Sequence, residues 1–234
     1  MIRSKKILIS ASIVFVTVEA LLGLLLQLAD GDAVVCFSYC SVLLACLFCA
    51  FFGERSWHYA ATQAALLCTV GADWFLVVTD PREQLPAMLF FSAAQLFYAS
   101  RLFLSQSSAA RRWHLGIRLA LSALFCLVTA LVLGANCDAV ALVSMFYYAN
   151  LILNIIYAFL GGRSERLFAV GLLLFVLCDT LIGLSCLDAY FAIPSDSIVY
   201  RIIHPGFDLA WAFYVPSQTL IAISLLPRAI GREP

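Results

Sequence analysis

Charge is scarce in this sequence. Of 234 residues, 12% are Asp, Glu, Lys or Arg, and the 14 basic side chains balance the 14 acidic ones. A soluble domain carries about 25% charged residues, so an ordinary soluble enzyme, a disordered chain and a coiled coil are excluded. Zero net charge leaves no surface that seeks a polyanion, which excludes nucleic acid as a partner. Histidine is scarcer still, with three residues, and none lies within an apolar run. GxSxG, HExxH and phosphate-binding glycine loops are absent. Serine-hydrolase, zinc-protease and histidine-rich zinc-hydrolase chemistry therefore have no residues to rest on, and the sequence implies neither metal nor cofactor.

What fills the chain instead is hydrocarbon. Hydrophobic residues make up 64% of it, and the mean hydropathy is +0.99. A helix needs about 20 apolar residues to cross a bilayer. Eight such runs are present, at 7–28, 33–52, 59–79, 85–104, 115–134, 140–160, 167–187 and 207–226. The reading is a single all-α transmembrane domain over 1–234. Most breaks are short and polar, as in Asp30-Gly31-Asp32 and Asn136-Cys137-Asp138, which makes successive helices antiparallel neighbours. Only 105–114 and 188–206 are longer. Arg3-Ser4-Lys5-Lys6 before an apolar run is similar to a signal peptide, but the run exceeds the 7–15 residues of a signal core, so it reads as an uncleaved first span.

Basic residues set the orientation. With the N-terminus inside, twelve of them fall in inner segments and only Arg82 and Arg201 in outer ones. Lys and Arg concentrate on the cytoplasmic side, so both termini are expected in the cytoplasm and the protein in the cell membrane.

Acids in hydrocarbon cost about 2.5–3.5 kcal/mol each on insertion scales and mark function by default. Glu19, Asp73 and Asp179 lie well within spans, with Asp208 at the outer lip of the last. At 1.5 Å rise per residue, Asp73, Asp179 and Glu19 fall about 6, 3 and 2 Å to the outer side of their span centres, and Gln95 and Gln218 within about 2 Å of theirs. Five costly side chains at one depth are explained by a water-containing cavity. Tyr147, Asn150, Asn154 and Tyr157 share an arc of about 80° on their helix. They either line that cavity or hydrogen-bond neighbouring helices together. Glu19 has no basic residue at its depth, and a protonated carboxyl bonded to a glutamine is its simple structural role. Asp73 and Asp179 also lack a basic partner. Two acids sharing a low-dielectric site do not both carry charge easily, so such a pair presents a general acid and a carboxylate together.

Four of the nine cysteines, Cys36, Cys40, Cys46 and Cys49, lie on one span. One helix cannot wrap a tetrahedral metal, so they read as small packing residues. Cys137 and Cys186 both fall near the outer face, where an oxidising compartment would let them pair.

Three segments carry a resemblance: Gly71-Ala72-Asp73-Trp74-Phe75-Leu76, Phe175-Val176-Leu177-Cys178-Asp179-Thr180-Leu181-Ile182-Gly183, and Phe213-Tyr214-Val215-Pro216-Ser217-Gln218-Thr219-Leu220-Ile221-Ala222. In this order and among eight spans, they resemble the YhhN-like family of membrane proteins, which includes lysoplasmalogenases. One position departs: where the family usually has histidine followed three residues later by tyrosine, this chain has Gln95 and Tyr98. The resemblance implies hydrolysis of the vinyl ether of a lysoplasmalogen to a fatty aldehyde and a glycerophospho-base. Asp73 and Asp179 are then the catalytic pair. Gln95, Tyr98, Tyr147, Asn150, Asn154, Gln218 and Glu19 would orient them or bind substrate and water. A lysophospholipid and membrane lipid are the expected partners. A transport or lipid-binding role, and a homologue without activity because of Gln95, use the same residues.

Overall fold

The structure is a computed structural model that describes residues 5–79, 82–103, 106–191, 193–203 and 209–226. Helices are α1 (Lys5–Leu26), α2 (Asp32–Phe52), α3 (Trp57–Asp73), α4 (Gln84–Phe103), α5 (Ser108–Leu133), α6 (Ala139–Leu160), α7 (Arg166–Ser185), a short α8 (Ile198–Ile203) and α9 (Leu209–Ile223). Among the described residues there is no strand. Among the described residues, six helices are long and apolar enough to cross a membrane: α1, α2, α3 with its extension to Val78, α5, α6 and α7. The 20-residue α4 and the 15-residue apolar α9 complete the bundle. Asp208, His204, Asp80, Pro81 and Arg3 lie outside the described residues.

Local sequence sets the helix ends. Ser56 caps α3 by accepting from the Tyr59 amide at 3.2 Å, and Asp138 caps α6 by accepting from the Ala141 amide at 2.8 Å. Each satisfies one of the amides that a helix start leaves without a partner. The fifth helix begins seven residues before the apolar run read from the sequence. Ser107 caps it, and Ala109, Ala110, Arg111 and Arg112 are strong helix formers, so a stretch read as a polar link is helix. His114, expected in an inner loop, is therefore a buried helical residue at 1% exposure. The segment after α7 also contains helical structure, a 3₁₀ turn (Cys186–Ala189) and α8. There the Tyr190 hydroxyl donates to Asp138 at 3.0 Å. Burial, then that hydrogen bond, pushes the hydroxyl up to about 12, so it remains a donor at neutral pH. Cys137 and Cys186 are unbonded thiols rather than a pair.

Each neighbour in the chain packs on the next from α1 to α4, and α4 then packs on α6, α6 on α7, α7 on α9, and α9 back on α1 and α2. The fifth helix lies outside this ring and packs on α6. The main core joins Leu66, Ala72, Phe91, Leu151, Phe175 and Ile221 from five helices. In it α7 packs closely on α9. A methyl group on Gly171 would stand 2.9 Å from Ile221 Cγ1, 3.1 Å from the Ile221 amide nitrogen and 3.2 Å from the Ser217 carbonyl. Two of those atoms are backbone and do not move aside. Gly171→Ala is expected to destabilise the protein by about 1–3 kcal/mol, read as a lower thermal midpoint in detergent.

Below this packing sits a buried ion pair. Arg101, at 2% exposure, donates to Glu165 Oε2 from Nη2 at 2.8 Å and from Nε at 3.1 Å. Its Nη1 donates to Thr62 and Ser224, both at 3.0 Å, and its guanidinium lies 3.9 Å over the Phe168 ring. Arg101 and Glu165 both read as loop or span-end charges in the sequence. Folding brings them together at the ends of α4 and α7.

Candidate functional site

Asp73 is the last residue of α3. The next five residues, Trp74–Val78, form a π turn, closed by the Thr79 amide donating to the Trp74 carbonyl at 3.0 Å. Such wide turns add one residue to a helix and concentrate at functional positions. No sequence signal marked this one. The Asp73 carboxylate, 5% exposed, accepts from the Tyr214 hydroxyl of α9. Asp179 of α7 is partly exposed and accepts from the Tyr147 hydroxyl of α6. The two aspartates lie within electrostatic range of each other, and Tyr214 lies within range of both. Residues 106 positions apart thus lie in one region of the bundle, each carboxylate accepting from a buried tyrosine.

Aromatic packing fixes both tyrosines. Phe175 stands edge-on to Tyr214 at 5.8 Å and to Phe91 at 5.9 Å between centroids. Phe91 is tilted against Tyr147 at 5.6 Å, and Trp211 stands edge-on to Tyr214 at 5.7 Å. This gives the phenylalanine-x-x-x-aspartate spacing a physical meaning. Residues four apart share a helix face, so Phe175 packs against Tyr214 and Phe91 while Asp179 accepts a hydrogen bond from Tyr147. Phenylalanine in place of Tyr147 or Tyr214 keeps this packing and removes one hydrogen bond to a carboxylate.

The other residues singled out in the sequence divide. Tyr147 touches an aspartate. Gln95, Asn150 and Asn154 do not: Asn150 and Asn154 bond Arg118, which reaches in from α5, and Gln95 bonds Asn154. Arg118 donates from Nη1 to Asn150 Oδ1 at 2.6 Å and from Nη2 to Asn154 Oδ1 at 2.7 Å. The second nitrogen also lies 3.0 Å from His114 Nε2. Asn154 Nδ2 donates to the side chain and backbone carbonyls of Gln95, each at 2.9 Å, and Asn150 Nδ2 donates to Ser122 Oγ at 3.1 Å. Tyr157 stacks on His114 rather than lining a cavity. The arc on α6 was read correctly as polar, but only its Tyr147 end serves the acids, because α5 inserts a guanidinium against the rest.

Glu19 is 1% exposed and accepts from Ser41 Oγ at 2.6 Å. Its partner is a serine on α2 rather than a glutamine. Gln218 is fully buried, with Nε2 3.5 Å from Ser217 Oγ and no partner for Oε1 among the described residues. Tyr98 is fully buried edge-on to Phe168 at 5.3 Å. Two surface grooves, one between α3 and α4 around Ala64 and Ala93, the other between α1 and α2 around Val14 and Leu47, are apolar, and neither is lined by the aspartates. Among the described residues no group of three His, Cys, Asp or Glu is arranged to hold a metal.

Tyr214 and Arg118 are the contacts that the residue pattern did not assign. Tyr214 lies one helical turn before Gln218, on the same face of α9, and this spacing was available as a signal. Arg118 was counted only toward orientation.

The YhhN family model matches residues 34–225 of this chain. The chain belongs to the YhhN family. The match includes Asp73, Tyr147, Asp179 and Tyr214, and it leaves out Glu19. No curated protein and no solved structure matches the chain significantly. In this YhhN-family protein, the three segments quoted from the sequence supply both aspartates, Phe175 and Tyr214, so the resemblance maps onto one contact network and not onto three separate places.

Proposed function

We propose that this protein is an integral-membrane ether hydrolase that cleaves the vinyl ether of lysoplasmalogens, using Asp73 and Asp179. The observation that supports this reading is the convergence of two carboxylates from α3 and α7, each held by a tyrosine hydroxyl. It is an eight-span protein of the cell membrane with both termini in the cytoplasm. The helices α4 and α9 supply the two spans beyond the six that qualify by length and composition.

The chemistry follows from the substrate. A vinyl ether opens by protonation of its outer alkene carbon, which leaves an oxocarbenium ion. One aspartic acid donates that proton. The second, as carboxylate, stabilises the cation and takes a proton from the water that attacks it, much as paired carboxylates act in glycosidases. The resulting hemiacetal collapses to the aldehyde and the glycerol hydroxyl, and the proton returns to the pair. The tyrosine hydroxyls occupy one oxygen of each carboxylate and leave the other for substrate and water. Gln95 stands apart from this chemistry, because its carbonyls are engaged by Asn154. The histidine-to-glutamine departure therefore leaves the contacts of both aspartates in place.

The test is aldehyde release from a vinyl-ether lysophospholipid by purified protein. Tyr147→Phe and Tyr214→Phe are each expected to slow release by about 10–100-fold, the effect of losing one hydrogen bond to a charged group. Unchanged rates in both would remove the tyrosines from the mechanism. Lipid bound without any product, even by the unmodified protein, would instead place the family member among binding or transport proteins.

A further inference from the structure

The interior holds two buried arginines, and they are treated differently. Arg101 has Glu165 as counter-charge and partners for all three nitrogens. Arg118, 4% exposed, has no acid within ion-pair distance among the described residues. Its acceptors are the neutral amides of Asn150 and Asn154 and His114 Nε2. A guanidinium only donates, so Nε2 accepts and the imidazole proton sits on Nδ1, which lies 3.2 Å from Gln106 Oε1. The cluster therefore carries one uncompensated positive charge. Its hydrogen-bonding capacity is also unfilled: three contacts engage five N–H groups, and the buried Nε has no partner.

Neutral amides aim a guanidinium without neutralising it. A lone cation in a low-dielectric interior is costly, and an anion relieves that cost. We propose that Arg118 is the anchor for an anionic phosphate group, and that this group is the phosphodiester of the lipid substrate. Guanidinium is the side chain best suited to phosphate. Position supports the assignment. Asn150 and Asn154 follow Tyr147, the partner of Asp179, by about 4.5 and 10.5 Å of axial rise on α6. A glycerol backbone with its phosphoester link spans that interval, so a lipid held at Arg118 extends its ether toward the aspartates. The phosphate site rests on the hydrolase reading only for which lipid occupies it.

Binding without turnover separates the two ideas. The probe is a saturated 1-O-alkyl lysoglycerophosphocholine, which has no vinyl ether to cleave, compared with the same alkyl glycerol lacking phosphate. Unmodified protein in nanodiscs is expected to bind the phospholipid at least about tenfold more tightly, and Asp73→Asn is expected to retain that preference. Asn150→Asp places a carboxylate at an existing 2.6 Å contact. It supplies the missing charge from within, so the variant should fold with an unchanged or higher melting temperature and lose the preference. Arg118→Gln should lose it as well. Inorganic phosphate alone distinguishes the sources: competition with the lipid at millimolar concentration would assign the site to free phosphate as well as to headgroups. The proposal is overturned if the unmodified protein does not discriminate between the two probes. It is equally overturned if Asn150→Asp folds and keeps the preference, which would make Arg118 a structural cation. Loss of hydrolysis in Asp73→Asn with binding intact leaves it standing, and so does failure of the hydrolase assay in every variant.

Discussion

Asparagine in place of Asp73 or Asp179 should lower aldehyde release by about 10²–10⁴-fold, the range that general acid–base groups contribute. Asparagine is nearly isosteric with aspartate, and its carbonyl still accepts from Tyr214 or Tyr147. The contacts of α3 with α9 and of α6 with α7 therefore survive. What is lost is the proton that the acid gives, or the charge that steadies the cation. In the proposed mechanism the two act on one reaction path, so the double variant should be little worse than the more damaging single one. Folding is checked by the thermal midpoint in detergent, and turnover by aldehyde trapping. Full activity in either variant would remove that residue from the chemistry.

The largest expected effect on stability lies elsewhere, at Arg101 and Glu165. Glu165→Gln leaves a desolvated guanidinium with Thr62 and Ser224 but no counter-charge. Breaking a buried pair from one side costs about 3–5 kcal/mol, whereas replacing both partners with apolar residues of similar volume is often neutral or stabilising. Glu165→Gln should therefore lower the thermal midpoint sharply. Arg101→Met combined with Glu165→Leu should recover most of the loss. A double variant as unstable as the single one would show that the hydroxyl contacts and the Phe168 ring, rather than charge pairing, hold these helix ends.

Much of the architecture was legible in the residues. Apolar runs bounded by Asp-Gly-Asp or Asn-Cys-Asp breaks correspond to helices, because the capping chemistry at Ser56 and Asp138 is local. The depth argument singled out Asp73 and Asp179 for the same reason: insertion cost depends on position along one helix and needs no knowledge of neighbours. Lateral partners were not legible. Whether Asn150 faces an aspartate or an arginine depends on which helix packs beside α6, and hydropathy does not encode that. Arg118 shows the limit most plainly. A charge count assigned it to the inner surface, and it lies inside the bundle with three polar partners. Removing it and Arg101 from the count still leaves ten basic residues against two, so the inferred orientation is unaltered. The π turn after Asp73 was invisible because no proline, glycine pair or periodicity break announces it.

The fifth helix has a mechanical consequence. Its 26 residues extend about 39 Å, of which the apolar run 115–134 accounts for about 30 Å, the hydrocarbon thickness of a typical bilayer. It rests on the ring chiefly through α6, where Arg118, about 15 Å along the helix from its first residue, bonds Asn150 and Asn154. Beyond Arg118 the helix keeps hold of α6 through Ser122, which accepts from Asn150 at 3.1 Å, and Cys126, whose thiol donates to the Leu142 carbonyl at 3.6 Å, while Leu131 is 74% exposed. The one long helix outside the ring among the described residues is thus fastened to α6 through polar atoms, so any sliding of this helix against α6 pulls first on the guanidinium.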